Sequence, residues 1–288
     1  LWVSSVDYSV DVPIGAGILR QLAHVYRKVR NTSRYLLGNL HDFNPASDAI
    51  AVADLPLLDR WMLQRTAEVM DEITEAFESY EFFRFFQLLQ NFCVTDLSNF
   101  YLDIAKDRLY VSAPADQRRR SCQTVMALII ERLAGFIAPV LCHMAEDIWQ
   151  NLPYPVQETS VFQRGWPTIP SDWRNDTLSA PVQQLRDLRA AVNKVLEDCR
   201  GRQELGASLE AAVRIDARSP ELQAALSWLN DNGDPDVDGL RDWLLVSQLQ
   251  LGGEPWAEVL SNHEDELALI EVSRARGTKC ERCWHYEG

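Results

Sequence analysis

Between Asp11 and Asp42 the sequence carries no acidic residue, although Asp and Glu number 42 in a 288-residue chain whose formal net charge is −14. Within that window lies Leu19 to Leu40, LRQLAHVYRKVRNTSRYLLGNL. At about 100° per residue, Leu19, Leu22, Tyr26, Val29, Ser33, Leu36, Leu37 and Leu40 fall on one side of a helix. Arg20, Arg27, Arg30, Asn31 and Arg34 form a second stripe beside it, with Lys28 pointing elsewhere. Such a helix can dock in a bundle by one face and hold phosphates with the next. A surface helix whose arginines are merely solvated has the same pattern, so the stripe alone decides nothing.

The length suggests about two domains, each large enough for a core of its own. Hydrophobic residues at 47% and charged residues at 24% are ordinary for a soluble globular protein. No apolar run is long enough to span a membrane and no basic-then-apolar signal opens the chain, so no membrane association is expected; a cytoplasmic monomer is the further expectation. The start, LWVSSVDYSVDV, has no Met and reads as the middle of an element, as in a piece of a longer protein. A pI near 4.8 argues against indiscriminate nucleic-acid binding. A local basic face survives that argument, because screening confines each patch to about 8 Å.

In chain order, Asp54-Leu55-Pro56 reads as a helix start. Leu58, Met62, Thr66, Val69, Ile73, Ala76, Phe77 and Tyr80 follow at helical spacing. Phe82, Phe86, Leu89, Cys93, Leu97 and Phe100 mark a second face, within FFRFFQLLQNFCVTDLSNFYLDIAKDRLY. A third pattern runs from Asp116 to Leu152 and is divided by Pro139. With the opening helix these predict an antiparallel helical bundle over 1–175. The stretch from Pro153 to Trp173 is proline-rich and irregular, a long connection pinned to the bundle by Phe162, Trp166 and Trp173.

Beyond it, a helix carrying Leu185, Leu188, Val192, Val195, Leu196 and Cys199 gives way to a period-two strand at Leu209, Ala211, Val213 and Ile215. A helix is expected near Ser219–Leu229, and strands near Trp243–Leu251 and Leu267–Ala275. Residues 176–276 thus read as a small α+β domain, and the whole chain as mainly α. Cys93, Cys122, Cys142 and Cys199 lack paired spacing and read as reduced, buried thiols. Cys280 and Cys283 are three apart, as in a zinc ribbon, but two thiolates are half of a tetrahedral site. Residues 277–288 are therefore an incomplete ribbon, with zinc possible only if ligands come from elsewhere.

No catalytic constellation is visible. There is no glycine-rich phosphate loop, no His-Glu-x-x-His and no Gly-x-Ser-x-Gly. The five histidines are dispersed, and His143 with Glu146 and Asp147 reads as a helix-surface cluster.

The segments YRKVRNTSRYLLGNLHDF, DRWML, FYLDIAKDRLY, AEDIW and VFQRGWP, in that order, resemble the anticodon-binding region of class I aminoacyl-tRNA synthetases. LWVSSVDYSVDV, VNKVLEDCRGRQELGASLEAAV and KCERCWHY make the resemblance closest to the bacterial isoleucyl type, over essentially the whole chain. The valyl type shares the earlier segments but ends in a coiled coil that is absent here. The resemblance implies that the bundle receives the anticodon stem and loop of isoleucine tRNA, with Arg27, Arg30, Asn31, Arg34, Lys106 and Arg108 as contacts and Trp284 as a stacking candidate. Asn31 and Asp107 could equally hold helices together, and Arg118, Arg119 and Arg120 read better as a solvated helix start. The family's catalytic signatures, His-Ile-Gly-His and Lys-Met-Ser-Lys-Ser, do not occur, nor is there room for an editing domain. A carboxy-terminal fragment is thus expected, inactive alone, with ATP and magnesium belonging to a catalytic domain of the same polypeptide. Two rivals are a helical scaffold that binds another protein and a redox or metal enzyme built on Cys280 and Cys283.

Overall fold

The computed structural model describes residues 1–234 and 237–287. Gly288, the end of the expected ribbon segment, lies outside the described residues. The chain divides into two compact units, Leu1–Arg174 and Asn175–Gly288.

In the first unit α1 is Ala16–Gly38, α2 the short Pro45–Asp48, and α3 Leu57–Glu78. Asp54 does not cap α3: it ends a 3-10 turn, and Pro56 holds the cap position without a side-chain hydrogen bond. Proline serves there because its fixed φ suits a helix entry whose N–H groups lack intrahelical partners. The inner face of α3, Leu58, Met62, Thr66, Val69, Ile73 and Ala76, is buried as its spacing predicts, while Tyr80 lies beyond the helix and is exposed.

α4, Phe82–Asn91, passes without a break into a π-helical run, Phe92–Tyr101, and then into α5, Leu102–Val111. The wider turn shows in the Leu102 N–H, which donates to the Leu97 carbonyl five residues back. Here the expected face needs correction, since Phe85 is buried in place of Phe86.

α6, Gln117–Ile137, is capped by Asp116, whose carboxylate accepts from the Arg118 N–H at 2.8 Å. It is buried nearly all round, as befits the central helix of a bundle, and packs on α1, α3 and α5. α7, Cys142–Gln150, follows the break at Pro139.

The connection after α7 is held by Trp166, whose ring meets Phe136 at 4.9 Å and Phe77 at 5.2 Å, edge to face. Its Nε1–H donates to Thr74 Oγ1 at 3.1 Å. Trp173 is buried with the Arg132 guanidinium 5.1 Å from its ring centre. Phe162 was expected to pin the loop as well, but it is 57% exposed. No helix among the described residues is long and apolar enough to cross a membrane.

In the second unit α8, Ser179–Gly201, and α9, Pro220–Asn232, pack on each other and against a four-stranded sheet. Ser219 caps α9, accepting the Leu222 N–H at 3.0 Å. The strands are β1 Ala211–Ala217, β2 Gln248–Leu251, β3 Ser261–Glu264 and β4 Ala268–Arg274, in the order β2-β1-β4-β3. Among the described strands only the β1–β2 pair is parallel. The stretch expected as one strand from Trp243 is helical at first, in α10, Leu240–Leu244, and turns at Leu245 with φ 55° before β2 begins. β1 is buried on both faces along most of its length, and Arg214, opposite Glu271 on β4, is accommodated there by a 2.7 Å ion pair. β5, Thr278–Lys279, and β6, Tyr286–Glu287, make a small hairpin around the cysteine pair.

Candidate nucleic-acid interface

Burial along α1 starts late. Leu19 and Tyr26 are exposed, and the buried positions are Val29, Thr32, Ser33 and Leu36, so only the second half of the expected apolar face is covered within this unit. Arg20, Arg27, Lys28, Arg30 and Arg34 are all exposed, and none forms an ion pair among the described residues.

Several arginines of the same unit differ, although Arg60 and Arg118 also form no ion pair among the described residues. Arg65, Arg84, Arg119, Arg164 and Arg174 of the same unit, all at least partly exposed at the side chain, each hold a carboxylate within 4 Å. The acid-free window removes one source of partners, the i,i+3 acids that meet Arg65 and Arg84, and among the described residues no carboxylate of another element reaches the cations of α1 as one reaches Arg119, Arg164 and Arg174. With no Asp or Glu on α1 to pair within the helix, its cations remain available to an outside anion.

Arg108 is not on this face. It is 4% exposed, and its guanidinium donates to both oxygens of Asp59, which is fully buried, at 2.8 and 3.0 Å. Tyr101 completes the cluster by donating its hydroxyl to Asp59 at 2.6 Å. Burial and the Asp59 charge push the Tyr101 phenol well above its ordinary value, so it stays protonated and donates. The expectation that Arg108 touches RNA is therefore corrected. The resemblance places it beside Lys106 as a contact, but two residues apart they face different sides of α5, and the carboxylate that claims Arg108 comes from α3, 49 residues earlier.

The reading of Arg118–Arg120 as a solvated helix start is corrected too. Arg119 is 8% exposed and grips Asp42 with both terminal nitrogens, while Arg120 donates to the Asp42 carbonyl at 2.9 Å. The Arg119 hydrogen bonds hold the Asp42 carboxyl well below its ordinary 3.8, against the opposing effect of burial. His143 is exposed, and Glu146 accepts from Gln150, Ser160 Oγ and Val161 N, tying α7 to the following loop.

Asn31 and Lys106 meet across a groove that the sequence did not reveal, a cavity of about 500 Å³ between α1 and the π-helical run with α5. Lys28, Asn31 and Tyr35 line one wall; Ser98, Asn99, Asp103, Lys106 and Tyr110 line the other. The floor is closed by hydroxyls that satisfy one another: Thr32 Oγ1 and Ser98 Oγ lie 2.9 Å apart, and Ser98 donates to the Cys93 carbonyl at 2.8 Å. Lys106 pairs with Asp103 at 2.9 Å. Tyr35 is pushed far above its ordinary value by burial and by its hydrogen bond with Tyr110, so it remains a neutral phenol. The signal for this wall was present: Asp103, Lys106 and Tyr110 recur at helical spacing.

Trp284, in the second unit, is 61% exposed with φ 64°, and the Lys279 ammonium lies 5.8 Å from its ring centre. The backbone N–H groups of Cys283 and Arg282 donate to the Cys280 sulfur and lower its thiol, whereas burial raises that of Cys283. Backbone donors aimed at a sulfur suit a thiolate ligand. Among the described residues no group of three or more His, Cys, Asp or Glu converges, so Cys280 and Cys283 fit a zinc ion only as half of its ligand set.

A family model described as the anticodon-binding domain of tRNA ligase matches residues 59–215. The chain is 99% identical over 288 residues to the isoleucine--tRNA ligase of Parasynechococcus marenigrum (strain WH8102). It is 77% identical over 287 residues to that of Synechococcus sp. (strain CC9311), and 76% identical over the same length to that of Prochlorococcus marinus (strain MIT 9313). In each case the match covers the whole of this chain and 30% of the relative.

Proposed function

The chain belongs to the anticodon-binding domain family of tRNA ligases, and from that premise we propose that it binds the anticodon stem and loop of isoleucine tRNA along the outward face of α1. The observation that carries the reading is the run of exposed cations from Arg20 to Arg34 without an ion pair among the described residues. A guanidinium that already holds a carboxylate has that edge occupied and its charge offset, whereas those of α1 keep every donor and their full charge for a phosphate. Arg27, Arg30 and Arg34 hold backbone phosphates, Asn31 and Lys106 face the loop, and Trp284 offers an exposed ring for stacking.

The rest of the reading follows from the relatives, of whose length the chain spans 30%. They are named for attaching isoleucine to tRNA, a reaction in which ATP and magnesium would act in a catalytic domain that this sequence does not contain. The present residues then supply recognition, as part of a monomeric, cytoplasmic enzyme. The purified chain is expected to show no isoleucine-dependent ATP–pyrophosphate exchange, and measurable exchange would overturn that division of labour.

The test of RNA binding is a titration of labelled isoleucine tRNA, and of a non-cognate tRNA, at several salt concentrations. Arg27→Ala, Arg30→Ala and Arg34→Ala are each measured beside the unaltered chain. Each lost phosphate contact should weaken both tRNAs and flatten the dependence of log affinity on log salt by about 0.7–1. Melting should barely move, since exposed charges are worth little to folding. Three variants that melt normally and bind with unchanged affinity and slope would remove α1 from the interface and favour the protein-scaffold reading.

A further inference from the structure

The four-stranded sheet of the second unit turns one face to α8 and α9, and Val213, Ile215, Ile270 and Val272 are buried there. The opposite face is covered unevenly. In one cross-strand row Arg214 lies opposite Glu271, and the loop after β2 roofs the pair: the Gly253 carbonyl accepts from the Arg214 guanidinium at 3.1 Å, and the Trp256 N–H donates to Glu271 at 3.2 Å. The neighbouring row on that face is Gln248, Ala212 and Ser273, two of them small. Above this row the face opens into a cavity of about 610 Å³, within the range of about 300–1,000 Å³ typical of ligand pockets.

The walls of the cavity are fixed by hydrogen bonds that do not involve its interior. Trp256 is held by its backbone and by its Nε1–H, which donates to Gln250 Oε1 at 2.9 Å. Gln248 donates to the Arg276 carbonyl at 2.8 Å and accepts the Arg276 N–H at 3.0 Å, which sets Arg276 at the rim. Four lining groups are left over. The guanidiniums of Arg274 and Arg276, both exposed, the Ser273 hydroxyl and the Glu258 carboxylate make no hydrogen bond or ion pair among the described residues.

Two guanidiniums against one carboxylate make the lining net positive and supply forked donors for the oxygens of an anion. A bare anion would use neither the indole nor Glu258. An anion joined to a flat ring system uses all of them: its oxygens meet the arginines and Ser273, its ring lies on Trp256, and its N–H or O–H donors meet Glu258. A nucleotide is built in that way.

We propose that this cavity, on the sheet face away from α8 and α9, binds a 5′-nucleotide, its phosphate on Arg274 and Arg276 and its base against Trp256. The site lies in the other unit from α1 and rests on none of the α1 residues. A free nucleotide and one residue of an RNA strand offer the same chemistry, and the experiment separates them.

The four ribonucleoside 5′-monophosphates, the matching nucleosides and a mixed-sequence single-stranded RNA pentamer are titrated calorimetrically into the 288-residue chain. The same titrations are made on Arg274→Gln, Arg276→Gln and Trp256→Leu, with Arg241→Ala, an exposed arginine outside the cavity, as control. Thermal melts confirm folding, and the two Gln variants, at exposed positions, carry the test if Trp256→Leu does not fold. A monophosphate should bind at least about tenfold more tightly than its nucleoside. Each Gln substitution should weaken it about tenfold, the scale of one charged hydrogen bond, and Trp256→Leu by about fivefold or more, the scale of one stacked base. Arg241→Ala should bind as the unaltered chain does. Tighter binding of a monophosphate than of the pentamer, with this dependence, assigns the site to free nucleotide; the reverse, with the same dependence, assigns it to a strand. If neither binds, or if binding is unmoved by Arg274→Gln and Arg276→Gln, or if Arg241→Ala weakens it equally, the cavity is not a nucleotide site, whatever the α1 variants do to tRNA.

Discussion

Replacing Arg108 with Met should destabilise the first unit strongly and leave RNA affinity unchanged wherever the protein is folded. Asp59 is fully buried, and Arg108 supplies two of the three hydrogen bonds described on its carboxylate. Taking away the guanidinium strands a buried charge, which costs about 3–5 kcal/mol. In a unit the size of Leu1–Arg174 each kcal/mol moves the melting temperature by about 2–4 °C, so the drop should be about 6–20 °C. Asp59→Leu alone should also be costly, since it leaves the Arg108 guanidinium and the Tyr101 hydroxyl without their buried acceptor.

The triple replacement Asp59→Leu, Tyr101→Phe and Arg108→Met removes every polar member together and should recover most of the loss, because apolar groups of similar volume replace buried ion pairs at little cost. Circular dichroism melts give the stability. Fluorescence titration of tRNA well below the melting point gives affinity and salt slope. A variant that melts within about 2 °C of the unaltered chain would refute the keystone role. One that stays folded but loses a unit of salt slope would return Arg108 to the RNA surface.

Gly135→Ala should destabilise the first unit by about 1–3 kcal/mol in chemical denaturation, although Ala is the better helix former, because the added Cβ would lie 2.3 Å from Pro167 Cγ. A gain in stability would show that the loop after α7 yields freely. Asp42 binds its proton more weakly folded than unfolded. Its contribution to stability is therefore complete above its ordinary 3.8 and is lost as the pH falls toward the lower folded value. Urea midpoints measured from about pH 6 to about pH 3 should decline less steeply in Asp42→Asn than in the unaltered chain, and parallel profiles would exclude Asp42 as the source. Elemental analysis of the chain purified with zinc should find well under one equivalent, since two thiolates are half of a tetrahedral set; a tightly held one-to-one ion would show that other residues complete it.

The helices were legible because the spacing of buried residues survives folding. α3 buries the face its sequence predicts, and α6 and α7 separate at Pro139. What failed were features decided by distant partners. Asp54 has the composition of a cap but ends a 3-10 turn one turn too early. β3, with the sequence Ser-Asn-His-Glu, has no apolar alternation and exists because β4 offers it an edge. Trp243 belongs to a helical turn rather than a strand, a distinction that a short apolar run does not encode.

The candidate site shows the same division more sharply. One helix contains enough information to separate its arginine row from its apolar row, since both are set by angles around a single axis. Whether an arginine is available to RNA depends on which carboxylate reaches it, and that is a property of pairs of helices. Arg108 and Lys106 lie in one turn of α5, yet the first is held by Asp59 of α3 and the second by Asp103 of its own helix at the groove. α1 escapes this ambiguity because its sequence removes local acids and the fold brings none to Arg27, Arg30 or Arg34 among the described residues. The absence of acids, more than the presence of arginines, is therefore the part of the site that could be read without a structure.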